Sequence, residues 1–410
     1  MRTGSALELL RSFRTGQRVY FQGGPGECLA FYNLLKDNPG YANGVEFWSC
    51  LVPGINTLDY GSLPGGVQLT TFMASPSLAP SITSGQTTLR AMPYSEIGEL
   101  LSRTDFDAAI FQTSPPDANG QYSFAHSCDM ASVVWPRAKW NILFVNEQMR
   151  ALATAESIAT EDVEMTIAID EPLLAPLPTR QPSPAVQEIA RIAAELVPDG
   201  ATFQAGIGDT PAAIVSALKL HRGLRVHSGI ITQEYQQLAE SGALDLYVEH
   251  ITGIAWGDQR FRDWLPRSGF VFRNVFVTHG HDELAAIPGF VSIGSALEVD
   301  LAGNLNLEWR AGERISSVGG APDYLRAAAA SQGGRSIIAL QASTARGGSR
   351  IVPSLKSPSI SGDLTDTVVT EFGVARLKGL SRDDRARALI AIAAPEHRSF
   401  LDDALRRGGE

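Results

Sequence analysis

The segment 203–233, FQAGIGDTPAAIVSALKLHRGLRVHSGIITQ, constrains the fold more than any other part of the chain. An apolar run ends in a turn at 204–208, a helical pattern follows from residue 209, and a second apolar run at 224–226 leads to Gly229. Strand, glycine turn, helix and strand in this order are typical of an open α/β sheet. Because such sheets place their functional groups where strands end, the segment predicts a site near the turn and near Gly229.

The turn contains Gly206 and Gly208, and glycine allows backbone N–H groups to approach a ligand closely. The start of the following helix favours an anionic or polarised group. We expect Asp209 or Thr210 to cap this helix and Pro211 to take its first position.

The first half of the chain shows the same order of elements. A strand at 18–21 ends in the glycine turn 23–26, and a helix follows from 27 to about 36. A tight connection that binds no ligand explains this first turn equally well. The stretch 151–182 is polar and then rich in proline, so it is the best candidate for a linker, and we place the domain boundary near residues 172–186. The sequence therefore predicts two related α/β domains, residues 1–180 and residues 181–410.

Composition and charge exclude several classes of function. The chain has 410 residues, a net charge of −10 and 44% hydrophobic residues, with a pI of about 5.3. An acidic protein does not favour nucleic acid or an anionic membrane as a partner. No apolar run has the length of a membrane span, and the N-terminus lacks a signal-peptide core, so we expect a cytoplasmic protein. Cys28, Cys50 and Cys128 are widely spaced, which predicts buried, reduced thiols and no metal site.

Motifs along nearly the whole chain resemble, in matching order, the acetyl-CoA hydrolase/transferase family. This is the class I CoA-transferase group that includes 4-hydroxybutyrate and butyrate CoA-transferases. The motifs that carry the resemblance are AGIGDTP, SALEVDLAGNLN, SSVGGAPDYLRAA, GGRSIIAL, VVTEFGVARLKGLS and RARALIAIAAPEHR, with weaker matches in GGPGEC and QTSPPDANGQYSF.

The resemblance implies two open α/β domains of the CoA-transferase type with the active site in the cleft between them. It also implies a homodimer or higher homo-oligomer, and acyl-CoA as the substrate, with no permanently bound cofactor. The residues that match the family's contacts to CoA and to the thioester oxygen are Gly206, Ile207, Gly208, Glu298, Gly319, Gly320 and Ala321. A thioester carbonyl that gains charge needs such preformed donors. Pro322, in the same loop, has no N–H to offer.

Gly229 is the main departure from the family pattern. Family members carry a glutamate at this place, in a motif of the form His-Ser/Thr-Glu, and its carboxylate attacks the acyl-CoA. Here the aligned residues read VHSG, so the position of the family nucleophile has no side chain. Covalent catalysis needs the attacking atom within a few ångström of the carbonyl. Removal of the glutamate side chain predicts space for one or two water molecules.

Two further histidines are candidates for activating such a water. His279 and His281 follow a predicted strand at 275–277, and histidine has a suitable pKa for a base near neutrality. The alternative is that both are hydrogen-bonded or exposed loop residues. A metal site with Asp282 has nothing else to complete it. His227 belongs to the ordinary family motif and needs no new role.

Three hypotheses for the function remain open. The first is an acyl-CoA enzyme that uses water, hydrolysing a CoA thioester or a CoA-linked ketone, and this hydrolase is favoured. The second is a CoA-transferase that moves CoA between carboxylic acids through another carboxylate, most plausibly Glu298. The third is a non-catalytic acyl-CoA-binding protein or a subunit whose site a partner chain completes. For Glu298, a structural role in supporting its loop is as good an interpretation as a catalytic one.

Overall fold

A computed structural model describes residues 2–176 and 181–407, which form two compact units. Unit 1 comprises Met1–Leu177, Ile251–Thr278 and Ile315–Gly319, and unit 2 comprises the remaining three segments, Pro178–His250, His279–Arg314 and Gly320–Glu410. Two short segments from the second half of the chain therefore belong to unit 1. The first part of the linker predicted at 151–182 is wrong, because Ser157–Ala159 and Met165–Ile169 form strands that pair within unit 1. Residues 177–180 of that stretch lie outside the described residues.

Unit 1 is built mainly from the elements of the first half of the chain. Its strands there are β1 (Arg2–Thr3), β2 (Arg18–Phe21), β3 (Glu46–Ser49), β4 (Gln68–Thr71), β5 (Thr87–Leu89), β6 (Ala108–Thr113), β7 (Gln121–Ser123), β8 (Asn141–Asn146), β9 (Ser157–Ala159) and β10 (Met165–Ile169). Its helices there are α1 (Ala6–Ser12), α2 (Leu29–Asp37), α3 (Ala79–Thr83), α4 (Tyr94–Ser102) and α5 (Ala131–Val134), with 3-10 turns at Gly24–Gly26, Tyr60–Ser62, Trp135–Arg137 and Thr160–Asp162.

A parallel sheet organises unit 1, with the strand order β1-β10-β8-β6-β2-β3-β4-β5. Strand β2 pairs in parallel with β3 on one side and with β6 on the other. The strand order therefore reverses at β2, and the glycine turn 23–26 follows its carboxyl end. Aromatic side chains pack the core beside this strand, since the rings of Phe21 and Tyr60 lie 4.3 Å apart.

The second half of the chain supplies the elements of unit 2 and the returning segments of unit 1. The strands are β11 (Thr202–Ala205), β12 (Arg225–Thr232), β13 (His250–Trp256), β14 (Phe270–Phe272), β15 (Val291–Ser295), β16 (Glu298–Asp300), β17 (Leu305–Asn306), β18 (Trp309–Arg310), β19 (Glu313–Arg314), β20 (Arg335–Ala339), β21 (Ile351–Val352), β22 (Thr367–Thr370) and β23 (Gly373–Arg376). The helices are α6 (Pro184–Ala194), α7 (Asp209–Ala217), α8 (Gln233–Glu240), α9 (Gln259–Trp264), α10 (Val275–Thr278), α11 (His281–Ala285), α12 (Ala321–Ala330), α13 (Arg382–Ala391) and α14 (Pro395–Arg406). Short 3-10 turns lie at Leu218–Leu220, Leu265–Arg267 and Gly362–Leu364.

The strands of unit 2 run in the order β12-β11-β15-β20-β22-β23. Strand β11 pairs in parallel with β12 and with β15, and only the β22–β23 pairing of this series is antiparallel. The order reverses at β11, as it does at β2 in unit 1. Each unit thus has a glycine turn after the strand at which the sheet changes direction, the place where open α/β sheets bind ligands. The prediction of α/β architecture is confirmed.

Three local predictions around the glycine turn and the histidines are wrong. The helix after the turn begins at Asp209 itself, so Gly208 is its cap, with φ +127°, and Pro211 lies third in the helix. Strand β12 continues through Thr232, because the β-branched residues after Gly229 favour extended backbone. Residues 275–278 form a helical turn rather than a strand, because the Asn274 carbonyl accepts from the Thr278 N–H.

Beneath the first glycine turn lies a buried carboxyl group, Glu27, which is 1% exposed. Its Oε2 accepts a hydrogen bond of 3.0 Å from Asn56 Nδ2, and the same amide nitrogen donates to the Gly24 carbonyl at 2.9 Å. Burial raises the pKa of Glu27 to about 7, although hydrogen bonding with Asn56 and Tyr60 lowers it in part. The protonated carboxyl is therefore the form that suits this site.

Glu27→Gln is expected to stabilise the protein at pH 8 and to remove part of its pH dependence. The folded pKa lies above the unfolded value, so the contribution of Glu27 is fully present below about pH 4.5 and is lost as pH rises through 7. The loss is on the order of 3 kcal/mol. Urea denaturation at pH 5 and pH 8 measures it, with the exposed Glu99→Gln as control. Equal pH dependence in both variants would contradict the assignment.

Candidate functional site

The second glycine turn lies at the carboxyl end of the central strand of unit 2. The Gly206 N–H donates to the Ile293 carbonyl on β15 at 2.9 Å. On the other side Phe203 is level with Val226 of β12. Strand β12 then continues through Gly229, whereas β11 ends at Ala205 and leads into the turn.

Gly229 has no room for a side chain in this structure. A Cβ atom built on Gly229 would lie 2.4 Å from Cε1 and 2.9 Å from Nε2 of His279, and 2.9 Å from the hydroxyl oxygen of Tyr324. These distances are well below van der Waals contact. The prediction that the missing side chain leaves space for water is wrong, because an imidazole ring and a phenol hydroxyl fill that space.

Gly320 faces the same imidazole from the other side. A Cβ atom at Gly320 would lie 2.6 Å from Nε2 and 2.7 Å from Cδ2 of His279. The His279 ring therefore lies between the backbones of two glycines, one on β12 and one that caps α12. Both glycines are partly exposed, whereas His279 is 5% exposed. The absence of two side chains is what lets this histidine approach the backbone.

His279 and His281 do not share an environment, although two positions separate them. Burial, and secondarily the nearby His227, lower the pKa of His279 to about 3, so its imidazole is neutral at physiological pH. His281 begins α11 with an exposed side chain. The interpretation of His281 as a loop residue facing solvent fits this position. A base with so low a pKa takes a proton from water poorly, which weakens the prediction of His279 as a general base.

Tyr324 is the residue that the sequence analysis missed. It lies on the first turn of α12, is 5% exposed and packs its ring against His279 with the ring centroids 4.7 Å apart. Burial, followed by the charge of Asp323, raises its pKa well above the ordinary value, so the phenol keeps its proton. The available signal was a tyrosine five residues after Gly319, on a helix that a glycine loop opens.

The hydroxyl of Tyr324 lies beside the Gly229 backbone and has no hydrogen-bond partner within the described residues. The nearby Gly229 N–H lowers the Tyr324 pKa in part, but it is not aligned for a hydrogen bond, which requires alignment as well as proximity. A buried hydroxyl of this kind costs free energy unless something else satisfies it.

Glu298 is placed on β16, in a small sheet with β17 and β21. Its Oε2 accepts a hydrogen bond of 2.7 Å from the amide of Asn306, its neighbour across the β16–β17 pairing. That contact supports the loop between the two strands and agrees with the structural interpretation. It does not bring Glu298 to the Gly229–His279–Tyr324 cluster.

The remaining predicted binding residues lie on two loops. Gly206, Ile207 and Gly208 are exposed on the turn before α7, and the Gly206 N–H is already bonded to the Ile293 carbonyl. Gly320 and Ala321 open α12, and Gly319, at φ +55°, belongs to unit 1 and accepts a hydrogen bond from the Tyr94 N–H. Their contacts to CoA remain a prediction.

Neither a metal-binding cluster nor a membrane-spanning helix is found among the described residues. No group of three or more His, Cys, Asp or Glu side chains among residues 2–176 and 181–407 is arranged to hold a metal ion. Over the same ranges, no helix combines the length and apolarity that a membrane span requires. Cys28, Cys50 and Cys128 are buried, as predicted.

Comparison with known proteins places this architecture in a family. The model of the acetyl-CoA hydrolase/transferase C-terminal domain matches residues 257–405. A succinyl-CoA:acetate/propanoyl-CoA:succinate CoA transferase of Fasciola hepatica is 30% identical over 84% of this chain and 75% of its own. The chain belongs to the acetyl-CoA hydrolase/transferase family. The resemblance identified from the sequence motifs is confirmed.

Other members of the acetyl-CoA hydrolase/transferase family match over their full length. A 4-hydroxybutyrate coenzyme A transferase of Clostridium kluyveri is 29% identical over 98% of this chain and 97% of its own. The crystal structure of RipA from Yersinia pestis superposes with a TM-score of 0.90 and 26% identity, covering 100% of this chain and 98% of that one. These matches show an acyl-CoA-processing family of transferases and hydrolases, and they leave the acceptor of the acyl group open.

Proposed function

We propose that this protein hydrolyses an acyl-CoA thioester, transferring the acyl group to water rather than to a second carboxylic acid. One observation carries the proposal. The place where a side chain at position 229 would extend is filled by the His279 ring and the Tyr324 hydroxyl. A carboxylate therefore cannot attack from this position in the structure as it stands.

The physical argument rests on what a double displacement requires. A carboxylate nucleophile has to lie within roughly 3–3.5 Å of the thioester carbon in an aligned geometry. Glu298, the alternative carboxylate, accepts a hydrogen bond from Asn306 within its own small sheet. Water needs no covalent attachment to the protein, and it attacks a thioester whose carbonyl oxygen is stabilised. Hydrolysis is therefore the reaction that the composition of this cluster supports best.

Substrate binding in this proposal uses the two glycine loops. The backbone N–H groups of Ile207 and Gly208, and those at the start of α12, bind the thioester and the polar parts of CoA in this proposal, since loop amides at helix N-termini suit such groups. The second residue of α12 is Pro322, which has no N–H, so the Gly320 and Ala321 amides have to supply the donors of that loop. No permanently bound cofactor is part of the proposal.

A panel of acyl-CoAs tests the proposal, with free thiol followed over time in the presence and absence of acetate or succinate. The expected result is release of CoA thiol at the same rate with and without the carboxylate. Formation of acetyl-CoA or succinyl-CoA, and only with the acceptor present, would show a transferase. Tight binding of acyl-CoA without either product would show a binding protein.

A further inference from the structure

Two polar atoms converge on the point where a side chain of residue 229 would begin. Nε2 of His279 and the hydroxyl oxygen of Tyr324 each lie 2.9 Å from the Cβ position built on Gly229. Both side chains are 5% exposed, and Gly229 is partly exposed. The Tyr324 hydroxyl therefore lies directly beside the backbone of Gly229.

We propose that the Tyr324 hydroxyl is a hydrogen-bond donor for the carbonyl oxygen of an acyl-CoA bound beside Gly229. The inference rests on the proposed function and deepens it, because it names a residue that stabilises the reacting group. The His279 ring packs on Tyr324 with the ring centroids 4.7 Å apart and so positions the phenol. Gly229 and Gly320 are then required as glycine, because a Cβ atom on either would collide with this pair of rings.

The protonation state of Tyr324 supports donation. Burial raises the pKa of Tyr324 and lowers that of His279, so the phenol keeps its proton and the imidazole is neutral over a wide pH range. A phenol is used elsewhere as a hydrogen-bond donor to a carbonyl oxygen that gains charge. Neither group then serves as the base, which differs from the role expected for His279 from the sequence.

The orphaned hydroxyl of Tyr324 is a second and independent observation. A buried hydroxyl without a partner costs roughly 1–3 kcal/mol, and this one is aimed at the Gly229 backbone. A carbonyl oxygen that enters beside Gly229 would accept its hydrogen bond. Binding of the carbonyl would then recover that free energy. The hydrogen bond would become stronger as negative charge develops on the oxygen.

The reaction balances without any further reagent. The oxygen of water bonds to the thioester carbon, and the electron pair of the C=O bond moves onto the oxygen that accepts the hydrogen bond from Tyr324. The tetrahedral intermediate collapses, the C–S bond breaks, and the thiolate of CoA takes the proton that the water loses. The products are the carboxylic acid and free CoA.

Tyr324→Phe tests the inference because it removes the hydroxyl and keeps the ring that packs on His279. The probes are two stable analogues of acetyl-CoA: a ketone with CH2 in place of sulfur, which keeps the carbonyl, and S-ethyl-CoA, which lacks it. We expect the variant to bind the ketone about 10-fold more weakly and S-ethyl-CoA unchanged. Thiol release should fall about 100-fold in kcat with little change in KM.

Tyr20→Phe is the matched control, since Tyr20 is a buried tyrosine of unit 1 that packs on Phe106. It should alter neither the binding of the analogues nor kcat. If Tyr324→Phe weakened the binding of both analogues equally, or weakened the binding of neither, the inference would be overturned. The binding measurement needs no turnover and therefore separates the two proposals. If the wild type released no thiol but bound the ketone more tightly than Tyr324→Phe did, hydrolysis would be refuted and the role of Tyr324 would stand.

Discussion

Gly229→Glu is expected to destabilise the protein by more than about 3 kcal/mol, because overpacking and an unpaired buried carboxylate add together. Its Cβ alone would lie 2.4 Å from the ring of His279. Restoring the residue that family members carry at this position should therefore not restore the family reaction by itself. Thermal unfolding measures the loss, and an unchanged melting temperature would contradict the geometry.

Removal of the imidazole should relieve the clash. We expect His279→Ala to cost stability of its own and the Gly229→Glu/His279→Ala double variant to lose less than the sum of the two single losses. Gly294→Ala is the matched control, because Gly294 is also a strand glycine but its Cβ would make only an ordinary contact, 3.5 Å from Ile338. The stability lost in Gly294→Ala should simply add to the stability lost in His279→Ala when the two substitutions are combined.

The double variant also tests how the site relates to the family. With the imidazole gone, the glutamate has the space that it needs in order to reach a thioester. Acyl transfer to acetate in the double variant, but not in either single variant, would show that the rest of the site is suited to double displacement. If the Gly229→Glu/His279→Ala variant does not fold, the milder pair Gly229→Ala and His279→Ala replaces it. The decisive measurement is then whether the stability losses of these two substitutions are additive.

The second large effect is a loss of stability in acid. His279 has a folded pKa of about 3, below the unfolded value of 6.5, so the unfolded chain binds more protons between these limits. Stability is fully present above pH 6.5 and is lost as the pH falls towards 3. A single histidine of this kind accounts for about 2 kcal/mol by pH 5 and for about 4 kcal/mol by pH 3.

His279→Gln isolates that contribution, because glutamine is neutral at every pH in this range. Denaturation in urea at pH 7 and pH 5 should show a smaller pH difference in the variant than in the wild type. His126→Gln provides a parallel case in unit 1, since burial lowers the pKa of His126 to about 3 as well. A variant with the same acid sensitivity as the wild type would show that His279 is not buried in its neutral form.

The sequence was sufficient for the architecture because each unit repeats a strong local pattern. Both β2 and β11 end in glycine turns that lead into helices, and both are the strands at which their sheet changes direction. Periodicity and glycine placement depend on neighbouring residues along the chain, so they are visible in the sequence. The same holds for the family motifs around these turns.

The site was only partly predictable because its decisive contacts join distant residues. The sequence showed that Gly229 lacks a side chain, but residues 50 and 95 positions further on fill the space, through His279 and Tyr324. The apolar residues 275–277 resemble a strand, but in the structure the Asn274 side chain accepts a hydrogen bond from the Phe276 N–H at the start of a helical turn. Burial then sets the pKa of His279, and burial cannot be read from two histidines in a loop.

The most direct test of the account is the source of the oxygen in the product acid. Wild-type protein is given an acyl-CoA in water enriched in oxygen-18, with acetate present, and the released acid is analysed by mass spectrometry. The account predicts one solvent oxygen in the acid for each CoA released and no acetyl-CoA. Acetyl-CoA formed together with a product acid that contains no solvent oxygen would contradict it.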